Sequence, residues 1–308
     1  MRKSSFSVGC VAACLIAMTL AEKVLPQPYA SLVDLAALRN KEELVLTTGT
    51  RLAIAAADLC TRQTPGLGIA VHDLSQYSAT YRDAARPMFG RADLPAILAV
   101  ARGGEADRAG IRAGDGIVAV NANPVPPASQ DGLARVETVL ARMERAAASG
   151  PVRLTLTRNG AEVVRAFTPP SACAVRFQVQ LDRVLDARTN GWLIEVTTKL
   201  ADFLHGPDEM AAVLGHELAH VILEHRRQID RVSAKQSRLS ELDADRLGVR
   251  LAYRAGFRPE AALEFWQRMR KQGRSGPSGL GRHPADRERV ETVKTALREL
   301  APVTPVVH

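Results

Sequence analysis

The clearest run of apolar positions lies between residues 208 and 225, DEMAAVLGHELAHVILEH, where Val213, Leu214, Leu218, Val221 and Ile222 recur at helical spacing. Pro207 and Asp208 supply a helix start, and acidic Asp208 and Glu209 sit in the first turn, where the dipole favours them. A second helical pattern, rich in Ala and Leu, covers residues 31–57 with Gly49 as a break. Residues 66–168 have a different character: a short strand at 95–100, a strand at Val118–Asn121, a helix from Asp131 to about Ala148, and a hairpin that pairs Val152–Thr157 with Ala161–Phe167 around Asn159-Gly160. After Pro169-Pro170, Val175–Leu181 alternates as a strand. Asn190-Gly191 then turns into a further strand, Trp192–Thr197, and a last helical run opens at Ser240 and closes at Gly256. The pattern predicts an α+β protein: a mainly helical core with a small sheet, interrupted by a β-rich insertion.

Three polar residues break the apolar run of the 208–225 helix. His216 and His220 stand four apart, one turn, so both rings reach one metal ion from the same face. Glu217 is rotated about 100° from His216 and flanks the ion, where a general base for an activated water must stand. A catalytic zinc takes three protein ligands, and the glycine-containing spacing HExxHxxGxxH is absent, because Ile222 and Arg226 occupy those places. Glu241 and Asp245 share a face of the later helical run, and the interval after His220 leaves room for an antiparallel return. Glu241 can then reach the ion while Asp245 orients a ligand histidine.

HELAH followed by ELDAD, then Ala255–Pro259 and His283-Pro284 ahead of Arg287 and Arg289, resembles the HtpX-like and CAAX-prenyl-protease-like gluzincin metallopeptidases. The resemblance implies one Zn2+ per chain held by His216, His220 and Glu241, Glu217 as base and His283 as oxyanion stabiliser. It also implies that a strand beside the metal helix holds extended substrate by edge pairing; Trp192, Leu193, Ile194, Glu195 and Val196 are the candidate. His225, Asp208 and His205 read as structural. The multiple apolar spans of the membrane-embedded members are missing. Within residues 66–168 the spacing A-x-x-A-G-I-x-x-G-D-x-I, from Ala106 to Ile117, is similar to a PDZ domain, which implies a groove for a C-terminal peptide. Ala122 stands where that family usually has glycine, and Gly66-Leu67-Gly68-Ile69, which looks like the carboxylate-binding loop, lies far upstream of the next strand.

The remaining composition refines this picture. Arg2 and Lys3 ahead of the uncharged Val8–Leu20 read as an export signal over residues 1–21, with an uncleaved anchor or a lipid attached at Cys14 as competing readings. The predicted organisation is 1–21 signal, 22–65 first helical part of the peptidase, 66–168 PDZ-like domain and 169–308 catalytic part. In 308 residues the net charge of +8 comes from scattered arginine without a dense block, so nucleic acid is not expected as a partner. Cys60 and Cys173 are the cysteines left after the signal. They flank the insertion, whose ends lie close together if it is compact, so they are expected to form a disulfide in an oxidising compartment. The sequence therefore predicts an exported, periplasmic or envelope zinc endopeptidase acting on misfolded or envelope proteins. A periplasmic peptide-binding or chaperone-like module with a silent metal site is the alternative.

Overall fold

The computed structural model describes residues 34–129, 131–225, 234–271 and 286–300. The export segment, Cys14 and His283 lie outside them. Helix α1 (Leu35–Ala55) is followed by strands β1 (Gln63–Pro65) and β2 (Ile69–His72), helix α2 (Ala79–Ala85), β3 (Ala96–Val100), the one-turn α3 (Glu105–Arg108), β4 (Gly116–Val120), β5 (Asn123–Pro124), α4 (Gly132–Ser149) and the hairpin β6 (Val152–Arg158) and β7 (Ala161–Phe167). Then come β8 (Ser171–Cys173), β9 (Arg176–Gln180), β10 (Ala187–Thr189), β11 (Leu193–Thr197), α5 (Thr198–Phe203), α6 (Pro207–Ile222), α7 (Ala234–Arg254), α8 (Ala261–Lys271) and α9 (Asp286–Glu299).

Three buried apolar clusters follow this order; the smallest packs Leu35 of α1 with Leu74, Tyr77, Tyr81 and Phe89, and the two larger ones are the main cores. One collects α1, the β8–β11 segment and α6 to α9 around Leu52, Val196, Leu214, Leu251 and Phe265. The other is built from β2 to β7 and α4, with Ile97, Ile117, Val139 and Met143 at its centre. Strand β6 shows why: Val152, Leu154 and Leu156 alternate with Arg153 and Thr155 and are fully buried. Helix α4 is capped by the Asp131 carboxylate, which accepts from the Ala134 amide at 2.9 Å, and turns Val136, Val139 and Met143 inward at helical spacing.

The entry and exit of the second unit lie side by side. Strand β1 pairs antiparallel with β8, Gln63 opposite Cys173 and Pro65 opposite Ser171, and the Gly66 amide donates to the Pro170 carbonyl at 2.8 Å. Cys60 and Cys173 are joined there as a disulfide, with Cα atoms 5.5 Å apart.

Three expectations change. Helix α1 runs through Gly49 without a break. A Cβ at that position would fall 2.3 Å from the Phe177 ring, so the glycine makes room for β9 to pack on the helix. Strand β11 is not an edge. The small sheet has the order β10-β11-β9, with β9 parallel to β11 and β10 antiparallel, so Leu193–Val196 are paired on both sides and cannot also pair with substrate. Among the described residues, the open edge beside α6 belongs to β10. The last helical run is also longer than its pattern suggests, because α7 begins at Ala234 instead of Ser240.

The turn between β4 and β5 carries Asn121 at φ 46° and Ala122 at φ 64°. Alanine in the left-handed region costs roughly 1 kcal/mol through its Cβ, and Ala122 is exposed, so nothing recovers that cost by packing. Ala122→Gly is expected to raise stability by about 0.5–1 kcal/mol, read as a higher urea midpoint with an unchanged slope. A lower midpoint would show that the turn is not strained at this residue.

Candidate metal centre

Helices α6 and α7 cross antiparallel at two glycines. A Cβ on Gly248 would lie 2.9 Å from the His216 amide nitrogen, and one on Gly215 would lie 3.0 Å from the Gly248 carbonyl oxygen. With no side chain on either, the backbones touch one residue from His216. The acidic face of α7 is thereby brought within reach of both histidines.

His216, His220 and Glu241 form the cluster able to hold a metal ion among the described residues. The three residues form a triangle whose ligand atoms lie within 4.8 Å of one another. Nε2 of His216 is 3.1 Å from Nε2 of His220, while Glu241 Oε2 lies 3.5 Å from the first nitrogen and Glu241 Oε1 lies 3.5 Å from the second. Tetrahedral coordination with bonds of about 2.0–2.1 Å requires ligand atoms about 3.3–3.4 Å apart, so these separations are compatible with a zinc-like ion that keeps a fourth position open. Two imidazoles and one carboxylate also suit that ion chemically.

Behind the triangle lies a buried charged chain. Asp245 Oδ1 sits 3.0 Å from His216 Nδ1, and Asp245 accepts two hydrogen bonds from Arg289, at 2.8 Å from Nε and 2.6 Å from Nη2. Arg289 is only 1% exposed; its Cζ stands 3.6 Å from the centre of the Trp266 ring, and Nη2 is nearly equidistant from the two His216 ring nitrogens, at 3.2 and 3.3 Å. On the other side, His225 Nδ1 is 2.9 Å from His220 Nδ1. Each ring of the pair thus has its second nitrogen engaged, which fixes its orientation.

Electrostatics separate the groups. Burial and the Arg289 charge push His216 toward its neutral form, but hydrogen bonds to Asp245 and Glu241 prevail and hold its pKa at about 9. Burial, followed by the neighbouring His216 charge, brings His220 down to about 3. Burial also opposes ionisation of Asp245, yet Arg289 keeps it below the ordinary carboxylate range. Glu217, buried beside the cluster, is raised to about 7 chiefly by desolvation, with the charges of Glu241 and Asp186 adding to the effect.

Of the residues singled out from sequence, the structure brings His216, His220, Glu241, Asp245 and Glu217 together. Leu193–Val196 lie in the central strand, Trp192 lies just ahead of it, and His283 is outside the described residues. Arg289, Trp266 and the glycine pair have roles here that the residue pattern does not assign, and His225, expected to be structural, meets His220. The sequence signal for Arg289 is its position after His283-Pro284; for the glycines it is the cost of keeping such residues inside two helices. Asp208 and His205 lie at the start of α6, where the Asp208 carboxylate accepts from the Arg258 amide and the Glu209 carboxylate accepts from the His205 amide.

Two histidines and a glutamate from crossing helices, with a buried carboxylate alongside, define a site of the metallopeptidase kind. The chain is similar to peptidase family M48, whose model matches residues 154–234 and 226–297. The first match carries His216, Glu217 and His220, and the second carries Glu241, Asp245 and Arg289, so the match supports a metallopeptidase. No curated protein matches the chain.

Two outcomes are expected. Glu241→Ala removes one corner of the triangle and should abolish stoichiometric zinc, whereas Asp245→Ala should weaken zinc binding by about 10- to 100-fold; metal titration with a competing chelator orders the two, and the reverse order would overturn the ligand assignment. In the metal-stripped protein, the raised Glu217 pKa stabilises the fold below about pH 4.5, and this contribution disappears as pH rises through about 7. Glu217→Gln should therefore be more stable than the parent at pH 8, by on the order of 2–3 kcal/mol, and equal to it near pH 4. Urea titrations at the two pH values check this, and a pH-independent difference would contradict it.

Proposed function

We propose that this chain is a zinc-dependent endopeptidase that hydrolyses peptide bonds in misfolded or envelope proteins. The observation that carries the reading is the ligand triangle of His216, His220 and Glu241 with Glu217 buried next to it. Zinc held by His216, His220 and Glu241 would supply a Lewis acid for the scissile carbonyl and would lower the pKa of water. Glu217 takes the proton of the attacking water and delivers it to the departing amine nitrogen. In the metal-free site, burial raises Glu217 above the ordinary carboxylate range, which favours its taking up a proton. Asp245, fixed by Arg289, keeps His216 turned toward the ion. His283 remains the proposed oxyanion stabiliser.

Extended substrate is assigned to the open edge of β10 in place of β11. The Thr197 amide donates to the Asp186 carbonyl and the Asn190 amide to the Leu193 carbonyl, so the ladder's alternation turns the backbone groups of Ala187 and Thr189 to the free edge. The 66–168 unit is proposed as a PDZ-like domain that docks substrate or regulates access. Its support is the sequence similarity together with a core and a sheet of its own. The charged and apolar pattern of residues 1–21 supports export to the periplasm or cell envelope. A silent metal site in a peptide-binding module is disfavoured because such a site needs no base, and Glu217 occupies the base position at a desolvation cost.

Glu217→Gln tests the assignment. The amide cannot accept the proton, while the three ligands are untouched, so the variant should keep one zinc per chain and lose proteolysis of an unfolded protein by at least about a thousandfold. Cleavage at the parental rate would sink the proposal.

A further inference from the structure

Two cavities meet at the junction between the 66–168 unit and the helical core. The first, of about 290 Å³, lies among β2, α4 and α1, with Leu67, Ile69, Leu140 and Phe177 on its walls. The second, of about 240 Å³, has His220 of the metal cluster on its wall. Arg62, Cys173, Ala174 and Trp192 line both, so the apolar cavity and the metal-side cavity adjoin at these four residues.

The first cavity offers backbone as well as apolar surface. Strand β2 ends its sheet, in the order β2-β3-β4-β6-β7. The Ala101 amide donates to the Gly68 carbonyl, and Ile69 stands opposite Val100, so the alternation of an antiparallel ladder turns the Ile69 N–H and C=O away from β3 toward the open edge. An extended chain can add itself there. The junction also carries charge. Arg62 is exposed, and no carboxylate pairs with it among the described residues; Glu144, on the same cavity wall, is held by Arg176 at 3.0 Å.

We propose that the two cavities form one track for an extended substrate polypeptide, with apolar side chains lying against β2 and α4, an acidic side chain at Arg62 and the rest of the chain continuing to the metal cluster. Space on both sides of Arg62 assigns it an internal aspartate or glutamate, not a chain terminus. The track rests on the peptidase reading for its metal end. It makes Arg62 a specificity-determining residue, selecting segments with an acid at a fixed distance from the cut.

The test uses the full chain with Glu217→Gln, loaded with zinc, so that binding is read without turnover. The probe is a fluorescent, terminally amidated peptide with an apolar stretch bearing a photo-crosslinker and one glutamate between that stretch and its other end. Tight binding by anisotropy is expected, with crosslinks mapping to residues 67–71 and 136–144. Arg62→Glu should weaken it about five- to tenfold, and changing the peptide's glutamate to lysine should restore affinity to the Arg62→Glu protein. Binding indifferent to both charges, or crosslinks only outside the two segments, overturns the track. Dependence on Arg62 that follows a free terminal carboxylate instead of the internal glutamate overturns the choice of occupant. Because affinity is read, these failures stand apart from failure of the peptidase reading: a parent protein that hydrolyses unfolded substrate while Arg62 is irrelevant keeps its proposed function and loses only the track.

Discussion

A guanidinium buried as deeply as that of Arg289 loses several kcal/mol of hydration unless its charge and its donors are met. Asp245 meets them with both oxygens, and Trp266 covers the face. The carboxylate is itself buried and needs a cation for the same reason, so neither partner can be removed alone without leaving an uncompensated charge in the core. Their pairing fastens α9 to α7, and it leaves one Asp245 oxygen facing His216. The orientation of the His216 ring on α6 is therefore set by a residue more than seventy positions later in the chain. Packing of the last helix and geometry of the metal centre are a single constraint.

The contact of Gly215 with Gly248 supplies the complementary distance. Charges pull the helices together, but only backbones without side chains allow them close enough for Glu241 to stand 3.5 Å from both histidine nitrogens. Glycine inside a helix costs roughly 1 kcal/mol relative to alanine. Here that cost secures close approach, in keeping with sites that give up local stability for geometry.

Much of this is legible in the chain because it is local. The histidines are one turn apart, the acidic pair on α7 is also one turn apart, and the Asn159-Gly160 turn fixes its hairpin by backbone preference alone. What is not legible depends on long-range pairing. Residues 192–197 read as a strand, but whether a strand is central or at an edge is decided by β9 and β10, which its own sequence does not contain. Gly49 reads as a breaker because propensity counts only its missing side chain; the Phe177 ring that fills the space arrives from 128 residues away. Arg289 is one of many arginines, and its burial becomes visible only when α9 is folded against α7.

The pairing of β1 with β8 means that the chain leaves the helical core and returns to it through one doorway. From the standpoint of the core, the whole stretch between Pro65 and Ser171 is equivalent to a tight turn. The unit also grips the core away from that doorway: the Arg102 amide donates to Thr47 Oγ1 at 3.0 Å, and Glu144 pairs with Arg176 at 3.0 Å. A doorway braced on both sides in this way holds the unit at one angle to the core, so whatever it carries is presented to the metal side from a fixed direction.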